Sequence, residues 1–272
     1  MLPAVTPPSE AATGVAAFFD LDRTIIAKSS ALAFSRPFFQ EGLINRRAVL
    51  KSAYAQFMFL LAGADAEYMD RMRGHIAVLC TGWDVAQVTA IVEETLHDIV
   101  DPLVYAEATE LIDEHRERGD DVVVVSASGT EIVAPIAKMV GATYSVGTRL
   151  VAREGRYTGE VEFYCAGENK PAAARDLALE RGYDLTRCHA YSDSITDLPL
   201  LEAVGHPTVV NPDRGLRKEA LQRGWPILAF SETVSLRTRI PAPSGGQIAA
   251  AVGLGAVAAA GVAWSGLRRR QR

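Results

Sequence analysis

The stretch Ala16-Ala17-Phe18-Phe19-Asp20-Leu21-Asp22-Arg23-Thr24-Ile25-Ile26 decides how the rest of the chain reads. An apolar run from Val15 to Phe19 has the length and composition of a buried strand. It ends at Asp20, and in open α/β sheets ligands bind beyond the carboxyl ends of strands. Continued extended chain would turn the side chains of Asp20 and Asp22 to the same side. Two carboxylates held together repel, so the pair calls for a cation or a chemical task. The bland alternative is a strand running into a solvated turn, with Asp as the turn former.

Working outward, the same strand-then-polar pattern recurs. Val122-Val123-Val124-Val125 is a β-branched run ending in Ser126-Ala127-Ser128-Gly129. Cys188 to Tyr191 forms a third run, ending in Ser192-Asp193-Ser194-Ile195-Thr196-Asp197. Thr208-Val209-Val210 is a fourth and Ile227-Leu228-Ala229 a fifth. Helices are expected between them, over Tyr105 to Arg118, Thr130 to Val140 and Lys170 to Arg181, each stopped by Gly. Tyr144 to Phe163 reads as a hairpin around Arg153-Glu154-Gly155. Alternating strands and helices predict an α/β fold: a Rossmann-like parallel sheet with helices on both faces.

Between the first two strands the pattern changes. Four helices are expected, over Ala31 to Glu41, Asn45 to Leu61, Asp65 to Cys80 and Asp84 to Asp98, with a break at Asp101-Pro102. This is a helical cap inserted into the core. The organisation is a lead-in over 1–14, core over 15–27, cap over 28–102, core again over 103–235, a linker over 236–247, a hydrophobic helix over 248–267 and a basic tail over 268–272.

Charge and composition limit the function classes. The first 236 residues hold 22 Lys and Arg against 33 Asp and Glu, which argues against a nucleic-acid surface. Cys80, Cys165 and Cys188 form no CxxC pair and read as reduced thiols. The five histidines show no metal-ligand spacing. Residues 1–14 have no Lys or Arg and lack the form of a secretory signal, so the catalytic body is expected in the cytoplasm.

Asp20 with Asp22, Ser126, Lys170, and Asp193 with Asp197 then converge on one edge of the expected sheet. Taken singly, Lys170 is a solvated helix-start lysine and Ser126 a loop serine. Together they offer carboxylates for Mg²⁺, a point charge for phosphate, and a hydroxyl beside turn N–H groups.

In that order the motifs resemble the haloacid dehalogenase superfamily of phosphohydrolases, in the branch with a helical cap, and within it the phosphoserine phosphatases. The residues that carry the resemblance are Asp20-Leu21-Asp22-Arg23-Thr24, Val122 to Ser126, Lys170, and Asp193 through Asp197. The resemblance implies Asp20 as nucleophile and Asp22 as general acid and base. It implies Mg²⁺ on Asp20, the Asp22 carbonyl and Asp193, with Lys170, Thr24, Ser126 and Ala127 around the phosphate and Asp197 in support. Two positions depart from the family pattern. Ser29 stands where phosphoserine phosphatases usually have a Glu for the substrate amine, and Ser192 precedes Asp193 where a Gly is usual.

The chain ends in different material. Ile248 to Leu267 is uncharged for 20 residues, followed by Arg268, Arg269, Arg270 and Arg272. That is long enough to span a bilayer, and the arginines suit anionic head groups. Membrane attachment through this segment is expected. The positive-inside rule would put the arginines in the cytoplasm with the body, which a single span does not allow. Orientation stays open, and a surface-lying helix would resolve the conflict. The apolar stretch from Ala53 to Leu61 in the cap admits burial between helices, a wall for a greasy substrate, or lipid contact. The readings that follow are a phosphatase of a small phosphorylated metabolite, a membrane-attached phosphatase of a lipid-linked phosphate, and, third, a scaffold without turnover.

Overall fold

A computed structural model of the protein describes residues 14–44 and 78–233. The helix expected over 45–61, nearly all of that over 65–80, the linker, the hydrophobic segment and the basic tail lie outside the described residues. Among the described residues no helix is long and apolar enough to cross a membrane.

The centre of the sheet is β1 (Ala16–Phe19), whose four residues are all buried. To one side lie β2 (Asp121–Gly129), β3 (Tyr144–Arg153) and β4 (Arg156–Phe163). To the other lie β5 (His189–Ser192), β6 (His206–Val210) and β7 (Ile227–Leu228). The order is β4-β3-β2-β1-β5-β6-β7, and only β3 and β4 pair antiparallel. β1 is therefore the switch point, where chain connections diverge to the two halves of the sheet.

Burial on both faces explains the continuous apolar strands. Ala16, Phe18, Val123, Val125, Ala190 and Val209 share one core with residues of α6 (Asn169–Arg181), α7 (Leu198–Glu202) and α8 (Arg214–Arg223). Alternation sends Phe19 the other way. It stacks on Tyr191 at 4.4 Å and meets His115 of α4 (Ala106–Glu117) edge-on at 6.0 Å.

Several elements differ from the sequence reading. The helix expected over Ala31 to Glu41 is two short ones, α1 (Ser30–Ala33) and α2 (Ser35–Gln40). Pro37 has no N–H to give the carbonyl four residues back, and the Ser35 hydroxyl takes the Leu32 carbonyl at 2.6 Å. β3 is more than one arm of a hairpin. Its first half pairs parallel with β2, and its second half turns back through Glu154 and Gly155, whose φ of 53° and 75° suit a tight hairpin turn.

That hairpin also grips the cap. Before α3 (Val85–Val100), the Gly82 N–H donates to the Tyr157 carbonyl at 2.8 Å and the Val85 N–H to that of Gly155 at 2.9 Å. Asp84 caps α3 by accepting from the Gln87 N–H. α3 in turn packs on α5 (Thr130–Met139), the helix that follows β2.

At the opposite end of β5 from its polar turn, the fold assembles what residue spacing did not suggest. His115, Asp120 and His189 place ligand-type atoms within 4.8 Å of one another. The Arg118 guanidinium already lies 2.9 Å from His115 Nδ1 and 3.4 Å from the Asp120 carboxylate, so a cation fills this cluster. Burial, then His115 and His206, push His189 down to about 4. Its neutral form is the one that fits, so its contribution to stability is complete above the unfolded value near 6.5 and is lost as pH falls toward 4. Thermal melts of wild type and His189→Gln between pH 7 and 4 check this. The wild-type melting temperature is expected to fall more steeply, whereas parallel slopes would remove the effect.

Candidate active site

Asp20 follows β1 directly, and its N–H donates to the Tyr191 carbonyl of β5 at 2.9 Å. The chain does not continue extended to Asp22, as alternation supposed. Leu21 to Ile26 curl instead: the Ile25 and Ile26 N–H groups both donate to the Leu21 carbonyl, and Arg23 takes a left-handed φ of 63°. Asp20 and Asp22 are still close enough that Asp22 raises the pKa of Asp20. In this curl Thr24 is fully buried, and its hydroxyl has no hydrogen-bond partner.

Lys170, at the start of α6, is 3% exposed rather than solvated. Its ammonium donates to Asp20 Oδ1 and to Asp197 Oδ2, both at 2.6 Å. Burial alone would lower its pKa, but Asp197 and Asp20 outweigh that and hold it above its ordinary value. Asp197 sits in a 3-10 turn (Ile195–Asp197) and also accepts from the Ser192 hydroxyl at 2.7 Å. Ser192 thus ties the carboxylate that ties the lysine. Its side chain supplies a bond that a glycine in its place would lack.

Asp193 follows β5 and is 2% exposed. Its Oδ2 lies 2.9 Å from Arg23 Nε. Asp213 braces the same loop, capping α8 at the Leu216 N–H while its other oxygen takes the Ile195 N–H at 2.8 Å. On the far side of β1, Ser126 is buried in β2 where the pairing with β3 shifts register, and its hydroxyl accepts from the Ser128 N–H. The neighbouring Ala127 carbonyl accepts from the Thr148 hydroxyl at 2.7 Å.

Asp22 is held from the cap side. The Ser30 N–H donates to its Oδ1 at 2.9 Å, and Ser29 is near enough to favour its charged form. The Ser30 hydroxyl meets that of Ser128 at 2.7 Å, linking the cap entrance to the loop of β2. Burial raises the Asp22 pKa against these bonds. Burial pushes Asp20 up to about 7 against Lys170, and pushes Asp193 up to about 8, with Asp20 adding and Arg23 opposing.

The structure therefore brings together Asp20, Asp22, Lys170, Asp193 and Asp197, with Thr24 in the same turn as Asp22 and Ser126 on the adjacent strand. The sequence reading passed over Ser30, Ser128, Asp213 and the contact made by Arg23. Ser192 was visible as a departure, but not its bond. The donor set fits a hard divalent cation. Every side-chain donor is oxygen, and burial of Asp20, Asp22 and Asp193 disfavours their charged forms, which a bound cation would offset.

Comparison with known proteins bears on the family and the fold. A family model described as haloacid dehalogenase-like hydrolase matches residues 17–202. A Mycobacterium tuberculosis protein named "Probable phosphatase" is 67% identical over 256 residues, covering 93% of this chain and 89% of the relative. A phosphoserine phosphatase from the same organism is 35% identical over 240 residues, covering 88% and 78%. A solved phosphoserine phosphatase with bound substrate has the same fold at 18% identity, with a TM-score of 0.59 over 83% of this chain and 96% of that one. Fold, motif order and these matches agree that the chain is an enzyme of the haloacid dehalogenase-like hydrolase family.

Proposed function

We propose that the chain is a Mg²⁺-dependent phosphomonoesterase that acts on a small phosphorylated metabolite through an aspartyl phosphate. The observation that carries this reading is the buried Lys170 ammonium bridging Asp20 and Asp197 at 2.6 Å each, at the end of the central strand. Asp20 attacks phosphorus, and the bond from phosphorus to the ester oxygen breaks. Asp22, whose pKa is raised, gives its proton to the departing alcohol. It then takes a proton from the water that attacks phosphorus, and the bond to Asp20 breaks to release phosphate. Lys170 holds Asp20 in place and faces the equatorial oxygens, while the Thr24 and Ser126 hydroxyls and the Ala127 N–H complete the cradle.

Asp20, the Asp22 carbonyl and Asp193 would hold Mg²⁺, which when bound supplies positive charge between the anionic nucleophile and the anionic phosphate. The substrate is not tied to phosphoserine. Ser29 stands where a Glu would meet an ammonium, and it has no charge to pair with one. The uncharged segment Ile248 to Leu267 with its following arginines favours a lipid-linked phosphate as the second reading.

Phosphate release by purified full-length protein with Mg²⁺, across phosphorylated metabolites and lipid phosphates, tests both. Turnover of a soluble ester supports the first reading, and turnover confined to lipid phosphates supports the second. In Asp22→Asn, intact-mass analysis is expected to find a phosphoryl group retained on the protein. No release from any substrate, together with no trapped phosphoenzyme, would sink both.

A further inference from the structure

Arg23 sits inside the motif that carries the nucleophile, yet no step above uses it. Its backbone takes φ 63°, a left-handed conformation uncommon for a long side chain, with its N–H donating to the Ile26 carbonyl at 2.6 Å. The side chain reaches over to Asp193, Nε to Oδ2 at 2.9 Å. The two ends of this pair differ in environment. The Asp193 side chain is 3% exposed and the Arg23 side chain 37%. One of the proposed metal carboxylates is therefore already engaged by a cation supplied from the mouth of the site.

We infer that Arg23 is a built-in counter-ion that holds down the affinity of the site for its divalent cation. The inference rests on the metal reading given above. Four carboxylates, Asp20, Asp22, Asp193 and Asp197, face one buried ammonium, Lys170. Among the described residues, the guanidinium of Arg23 is the second positive charge bound to one of them. A divalent cation brought to Asp193 meets a like charge bound to the same carboxylate, and repulsion at this range is strong because one side of the pair is dry. Arg23 also keeps Asp193 paired when the metal leaves, so the loop after β5 retains its shape. If Arg23 merely aimed Asp193 at the metal, its removal would weaken binding, so the two roles differ in sign.

The test is direct Mg²⁺ binding by calorimetry on the full chain, without substrate. Arg23→Gly and Arg23→Asn both tolerate the left-handed backbone and remove the charge, and Arg23→Lys keeps it. Circular dichroism of each variant establishes that the fold is kept, and either neutral variant that keeps it suffices. Neutral variants are expected to bind Mg²⁺ about tenfold more tightly than wild type at low salt. The gain should shrink as salt rises, because the charge sits at the mouth, and Arg23→Lys should stay near wild type. Unchanged or weaker binding by the folded neutral variants overturns the inference, as does a gain that salt does not move. Asp193→Asn separates this failure from failure of the metal reading. If it binds Mg²⁺ as wild type does, or if neither wild type nor the folded neutral variants bind, the metal reading falls and takes the inference with it.

Discussion

Asp20→Asn is expected to lower phosphate release by about four orders of magnitude or more, because an amide cannot form the phosphoenzyme and losing a nucleophile costs nearly all of the covalent route. The same substitution is not expected to unfold the protein. Burial is the largest influence on Asp20 and pushes it up to about 7 despite Lys170 at 2.6 Å. The charged form is thus disfavoured where it sits, and a neutral side chain of the same shape relieves that cost. Lys170 keeps its second partner, Asp197, also at 2.6 Å. Without Mg²⁺, the melting temperature of the variant should equal or exceed that of wild type at pH 8. A variant that melts normally and still turns over at close to the wild-type rate would rule out Asp20 as nucleophile. A variant that loses activity only because it melts far below wild type would make Asp20 a structural residue instead.

The contrast between what the sequence disclosed and what it hid follows from the range of the interactions. The strands were legible because both faces of the sheet are covered, so Phe18 and Phe19 are apolar alike, and Val122 to Val125 run without alternation. Their ends were legible because Asp20, Ser126 and Asp193 interrupt apolar runs. Helix α3 was legible through its cap at Asp84. The split at Phe34 was overlooked although Pro37, which has no N–H for the Ala33 carbonyl, announces it. Helix α8 was passed over although Asp213 caps it.

The site shows the same division. Motif order located the carboxylates, but nothing local distinguishes a buried Lys170 from a solvated one. Its two partners lie 150 and 27 positions away. The Ser30 and Ser128 contact spans 98 positions and needs both the cap entrance and the bulge in β2 to be in place. Arg23 is the instructive case. It is an unremarkable x in a motif until β5 brings Asp193 beside it. Positions that a motif leaves open are where this chain places its own chemistry: Arg23 on Asp193 and Ser192 on Asp197.

Lys170→Met is expected to damage both stability and activity, in contrast to Asp20→Asn. It removes the one buried cation between Asp20 and Asp197, and both carboxyls are then left in a dry site with no ammonium. Breaking a buried pair from one side costs about 3–5 kcal/mol. For a body of this size that is a fall in melting temperature of roughly 6–20 °C. The charge argument makes two further demands. Asp197→Asn added to Lys170→Met should restore part of the lost stability, because it removes one of the stranded charges while the Ser192 hydroxyl still has an oxygen to bond. It should restore no activity, because the phosphate would still lack the ammonium. Lowering the pH from 8 to 6 should narrow the stability gap between wild type and Lys170→Met, since protonating the stranded Asp20, already pushed up to about 7 by burial, removes a buried charge that the lysine had balanced. Melts of the single and double variants over that range, beside turnover on a soluble phosphate ester, decide it. A single variant as stable as wild type at pH 8 would mean that the ion pairs around Lys170 do not hold this site together.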